Sequence, residues 1–189
     1  MGERHEQIIR EIVFDSVFSI EELYNVVEVY FKEKNYDKWE KYAHEYKRKD
    51  STEIHTETRY LRPITDYFLL MEKIKYNSRD LKRVKINRYG KEVEMVKGKI
   101  SMIFEGSVVT DYDNKFGETK AEKPLWQFIK ELFDTFVYNR EKQRYAKQIV
   151  NDTNEAIELV YRYFNFPAEK GGTIRQAADR DVIVQKEML

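Results

Sequence analysis

Apolar and polar positions change their period several times along the chain. Ile8 to Phe18 is rich in β-branched and aromatic residues and favours a strand, although Ile8, Ile9, Ile12 and Val13 also suit one face of a helix. Ser19-Ile20-Glu21-Glu22 then has the form of a capping box, in which the serine accepts from the backbone and Glu22 reaches back. Leu23, Val26, Val27, Tyr30 and Phe31 follow at helical spacing, which predicts a helix over residues 20–34 ended by Asn35. Residues 36–49 fit either state, since Trp39, Tyr42 and Tyr46 suit a helix but the continuation does not. From Thr52 to Leu61, Ile54, Thr56, Thr58 and Tyr60 alternate with Glu53, His55, Glu57 and Arg59, the pattern of a half-buried strand.

Extended runs continue. Residues 67–76 alternate, and Val84-Lys85-Ile86 turns at Tyr89-Gly90 into Glu92–Val96 as a hairpin. After Gly98, Lys99 to Tyr112 places Ile100, Met102, Phe104, Val108, Thr110 and Tyr112 on one face, with Gly106 marking a bend or bulge. Pro124 suits a first helical turn, and Leu125, Phe128, Ile129, Leu132, Phe133 and Phe136 make a broad apolar stripe. A second stripe runs from Tyr145 through Ile149, Ile157 and Val160 to Phe164, and Phe166-Pro167 ends it. Asn139-Arg140 either breaks or bends the helix between the stripes. Residues 168–189 carry little apolar matter and suit either an added strand or, the preferred reading, a tail that orders on a partner, beyond a single domain of residues 1–167.

This order has no βαβ alternation, which argues against a parallel nucleotide-binding sheet. It predicts an α+β fold: a curved antiparallel sheet of five to seven strands against a long C-terminal helix or helix pair, with one helix near the N-terminus. In element order, over residues 8–164, the chain resembles the helix-grip fold of the START and polyketide-cyclase-like superfamily. That resemblance implies a sheet wrapped on the C-terminal helix, often around an apolar ligand. It assigns no catalytic or binding residue.

Composition narrows the chemistry. The 189 residues include no cysteine, which removes thiol nucleophiles, iron–sulfur clusters, cysteine-bound zinc and disulfides. Only three histidines are present, and His5-Glu6-Gln7-Ile8-Ile9 has isoleucine where a helical zinc motif needs its second histidine. No Walker-type loop, Gly-x-Ser-x-Gly elbow or Gly-x-Gly-x-x-Gly occurs. Basic and acidic residues balance at 34 each, so no net field announces a polyanion. A charged N-terminus and the lack of a long apolar run give a cytoplasmic location as the expectation, with no membrane span.

Four groups of candidates follow. Trp126, Phe128, Phe133 and Phe136, with Phe104 on the facing strand, would line a sheet–helix groove for an apolar small ligand; as ordinary core they would fill it. Arg79, Lys82, Arg83, Lys85, Arg88 and Lys91, with Tyr89 at the turn, make a basic hairpin that suits a phosphate backbone or merely protects a sheet edge. Asp111 and Asp113 are weak candidates for a divalent ion, because Lys115 and Phe116 stand where a calcium loop needs a ligand and a glycine. His55 with Glu53 and Glu57 shares one strand face, as acid–base chemistry or a solvated face would require. The leading reading is a non-catalytic binding or assembly module for a protein partner, a second copy of the chain or an apolar ligand, without a cofactor. The alternatives are a nucleic-acid-associated protein using residues 79–91 and a divalent-metal enzyme at Asp111 and Asp113.

Overall fold

A computed structural model describes residues 3–47, 51–88, 91–112 and 139–165. In chain order these form strand β1 (Glu3–Phe18), helix α1 (Ile20–Glu33), strands β2 (Asp37–Lys47), β3 (Thr52–Pro63), β4 (Phe68–Arg88) and β5 (Lys91–Thr110), and helix α2 (Asn139–Asn165). The strands make one open antiparallel sheet in the order β1-β5-β4-β3-β2. The α+β architecture with an N-terminal and a C-terminal helix is therefore the one the periodicity predicts. The helix expected from Pro124, with Trp126, Phe128, Phe133 and Phe136, lies outside the described residues. So do Tyr89, Asp113, the stop at Phe166-Pro167 and residues 168–189.

Local chemistry fixes α1 at both ends. Ser19 Oγ accepts from Glu22 N at 3.2 Å, the first half of a capping box. The second half is taken over by another element: Ser19 N donates to the Tyr163 hydroxyl of α2 at 3.0 Å. At the other end Asn35 adopts φ 61°, and Tyr36 N donates to Phe31 O while Asn35 N donates to Lys32 O. This is a Schellman stop, completed by the apolar contact between the Phe31 and Tyr36 rings at 5.3 Å.

Both helices lie on one face of the sheet. Leu23, Val27, Tyr30 and Phe31 of α1 are buried, and Phe31 stacks on Tyr60 of β3 at 4.6 Å. Along α2 the buried positions Tyr145, Ile149, Asp152, Thr153, Ala156, Ile157, Val160 and Phe164 repeat every three or four residues and face β5, β1 and β4. Phe164 stacks on Phe14 of β1 at 4.0 Å. Ile12, Phe104, Met102, Ile74 and Tyr76 supply the sheet side of this core.

Two features depart from the expected strand pattern. The runs 67–76, 84–86, 92–96 and 99–112 are pieces of only two long strands, β4 and β5. Between the first two of these runs Asp80 adopts φ 54° within a bulge between Arg79 and Lys82, and pairing resumes beyond it. Gly98 is required opposite, since a Cβ there would stand 2.9 Å from the Asp80 carbonyl oxygen. Gly106 itself carries no bulge. The extra residue is on β1, where the register shifts between Glu6 and Ile8, and Gly106 instead admits α2. A Cβ at Gly106 would stand 2.8 Å from both Thr153 Oγ1 and Ile8 Cγ2.

Candidate nucleic-acid interface

Register places the side chains of the long hairpin. β1 pairs with β5 only as far as Phe18 and Val96, and β3 reaches β4 only at Thr52 and Leu81. Residues 84–88 and 91–95 therefore pair with each other alone, and they extend the β4–β5 ribbon (residues 79–88 and 91–99) past the last rungs shared with β1 and β3. Directly opposed residues share a face. On the face turned away from the helices, the successive pairs from the base outward are Arg79–Lys99, Lys82–Lys97, Val84–Met95 and Ile86–Val93. The helix-side face carries Arg83, Lys85 and Asn87 against Val96, Glu94 and Glu92.

The charge is thus sorted by face. Residues 79–99 hold eight basic residues against three acids, Asp80, Glu92 and Glu94. Glu92 and Glu94 lie on the helix side, where Lys85 meets Glu92 at 3.3 Å. Asp80 is the exposed bulge residue. The outer face retains two consecutive like-charged pairs, Arg79–Lys99 and Lys82–Lys97, all four side chains exposed and none with an ion-pair partner among the described residues. On that face Asp15 of β1 lies across from Lys99, and Glu53 of β3 lies in the β3–β4 register shift near Arg79. Like charges directly opposed across a ladder destabilise it.

Further along the outer face the charges pair off. Glu105 of β5 accepts from Lys73, from Lys75 at 2.7 Å and from Arg4 at 3.2 Å. Burial pushes its carboxyl up, but Lys73 and Lys75 outweigh that and hold it below the ordinary carboxylate range. Glu57 of β3 behaves alike: burial raises it, and Arg59 at 3.0 Å with Lys41 at 3.5 Å brings it lower. Opposite-charge pairing here accentuates the unpaired rows at the ribbon.

Next to those rows, β2 carries an aromatic stripe. All eleven of its residues are exposed, as befits an edge strand, and Trp39, Tyr42 and Tyr46 are 60%, 37% and 54% exposed. They lie with His44 on the outer face, by their register with Arg59, Glu57, Glu53 and His55 of β3. Tyr42 stacks on His44 at 5.5 Å, His44 and Tyr46 are tilted to each other at 6.2 Å, and Tyr46 meets His55 edge to face at 5.9 Å. His44, His55, Asn77 and Ser101 form one register row across four strands, adjacent to the Arg79–Lys99 row.

The other sequence candidates fall elsewhere. Phe104 is fully buried in the core, and where α2 meets the sheet at Gly106 the contact leaves no gap. A cleft between α1 and the sheet, lined by Tyr24, Thr56, Tyr60 and Tyr76, holds about 10 Å³. An open groove of about 440 Å³ between α2 and β1 is lined by Arg10, Asn154, Glu158 and Tyr161 among others. Asp111 is buried just after β5 with φ 51°. His55, Glu53 and Glu57 do share the outer face, with His55 Nδ1 3.0 Å from Asn77 Oδ1. Among the described residues no group of three or more His, Asp or Glu side chains is placed to hold a metal ion. No helix there is long and apolar enough to cross a membrane.

Lys97, Lys99 and the Trp39–Tyr46 stripe are absent from the sequence-derived set. Only the β4–β5 register sets Lys97 and Lys99 beside Lys82 and Arg79, and β2 lacks the alternation that announces a strand. The chain matches no family model, no curated protein and no solved structure in the comparisons made. The helix-grip resemblance accordingly rests on element order alone.

Proposed function

We propose that the chain is a binding module whose docking element is the β4–β5 ribbon and whose partner is a nucleic acid. The observation that carries this reading is the outer-face juxtaposition of Arg79 with Lys99 and Lys82 with Lys97. Edge protection explains scattered lysines on a strand border, but not like charges set directly across from each other inside a ladder. A polyanion laid along the face relieves that repulsion and releases its own counterions.

The test is a titration of the full chain with labelled RNA and DNA at increasing salt. Affinity falls linearly in log–log form, and Arg79→Ala, Lys82→Ala, Lys97→Ala and Lys99→Ala each reduce the slope by roughly 0.7–0.9. Lys85→Ala, on the opposite face, has the smaller effect. A salt-independent affinity, or wild-type slopes in all four outer-face variants, overturns the proposal.

A further inference from the structure

The outer face is more than a strip of charge. Trp39, Tyr42, His44 and Tyr46 present a run of exposed rings on β2, and successive outward positions on a strand stand about 7 Å apart. Such rings have no core to complete: β2 is exposed on both faces, and its edge is unpaired among the described strands. Pairing of this edge with another strand is hindered by its own bulge, where Lys41 interrupts the register between Glu40 and Tyr42. The stripe instead runs, through the His44–His55–Asn77–Ser101 row, onto the unpaired cations Arg79, Lys99, Lys82 and Lys97. Rings leading into a cationic track are complementary to a strand whose bases are unpaired and splayed, because stacking needs a free base face and the track needs phosphate.

We infer that the ligand is single-stranded nucleic acid, its bases stacking on Trp39, Tyr42 and Tyr46 while its backbone continues along Arg79, Lys99, Lys82 and Lys97. This rests on the nucleic-acid reading of the ribbon and adds the strandedness of the ligand and a second set of contacts. A duplex offers the same phosphates but no exposed base faces, so the ribbon alone would hold it.

The experiment is fluorescence anisotropy of the full chain with labelled oligo-uridylate and oligo-thymidylate of about 15 nucleotides and with a duplex of equal length. Both single strands bind about tenfold or more tightly than the duplex, and the two arms show whether the 2′-hydroxyl contributes. Trp39→Ala, Tyr42→Ala and Tyr46→Ala each weaken single-strand binding roughly tenfold, with the salt slope and duplex affinity unchanged. Trp39→Phe restores most of the affinity, since a ring is kept. Equal affinity for duplex and single strands, or wild-type single-strand affinity in the three alanine variants, overturns this inference and leaves the ribbon reading standing. Wild-type protein that binds none of the probes at low salt overturns both.

Discussion

Thr153 of α2 donates to Glu72 Oε2 of β4 at 2.8 Å, and the two meet directly over Gly106 of β5. The hydroxyl also lies 2.7 Å from Ile149 O, so it is shared between the helix's own backbone and the carboxylate beneath. Glycine is what lets the helix come this close. Gly106→Ala is expected to push α2 outward and cost about 1–3 kcal/mol, the usual range for overpacking. Urea unfolding measures it, and an unchanged midpoint would show that the helix does not bear on the sheet there.

Glu72 also sets a pH dependence. Burial, first of all, pushes its carboxyl up to about 8, with Asp152 and Glu105 adding to the rise and Thr153 and Arg4 opposing it. Its Oε1 has no hydrogen-bond partner. Because the folded-state value lies above the ordinary 4.5, the folded protein holds a proton that the unfolded chain has released between those limits. Glu72's contribution is complete below about pH 4.5 and is lost as pH rises toward about 8. Glu57 and Glu105 are lowered and act in the opposite sense, losing their contribution as pH falls below the ordinary carboxylate range. Denaturant midpoints should therefore decline from about pH 5 to about pH 8.5, and Glu72→Gln should flatten that decline while leaving the acid limb in place. A wild-type profile flat across this window would contradict the assignment.

How far these features were legible varies with what each residue must satisfy. α1 was readable because every local signal agrees: a serine cap, a stripe at helical spacing and Asn35 at the left-handed stop. β2 was not, because an edge strand exposed on both faces needs no alternation. The β4–β5 hairpin looked like several short strands, since Asn77-Ser78-Arg79-Asp80 and Gly98 are turn-forming residues that here build a bulge. Arg79 and Lys82 were visible as charge. The pairing of Lys82 with Lys97 depends on that bulge, which sets the register beyond it, whereas Arg79 meets Lys99 in the register before it. Glu72 shares the strand face of Phe68, Leu70 and Ile74, so alternation already turns it inward; what the sequence does not show is Thr153 of α2 as its partner.

Tyr163 couples the two helices through the α1 cap. Its hydroxyl accepts from Ser19 N at 3.0 Å, and Ser19 O and Glu22 Oε2 lie 3.1 and 3.5 Å away as its own acceptors. Tyr163→Phe is expected to cost about 1–2 kcal/mol by stranding that half-buried N–H, and Ser19→Ala about 1 kcal/mol by removing the serine acceptor. If the hydroxyl works through the cap, the double variant falls short of the sum. A fully additive cycle would mean that Tyr163 acts by packing alone.

The ribbon offers a test in which stability and binding move in opposite directions. Lys97 faces Lys82 across the ladder, with Val17 of β1 on its other side. Lys97→Glu converts a repulsive cross-strand pair into an attractive one, with an expected gain of about 0.2–1 kcal/mol in unfolding free energy. The same change places a negative charge in the track proposed for phosphate, so nucleic-acid affinity should fall and its salt slope become shallower. Lys97→Gln should relieve the repulsion in part and weaken binding less than the reversal does. A ligand contact maintained at the expense of the ladder predicts this opposition, as exchanges of stability for function do elsewhere. Lys97→Glu protein that is less stable than wild type would remove the premise that Lys82 and Lys97 repel, and undiminished binding would remove the phosphate track.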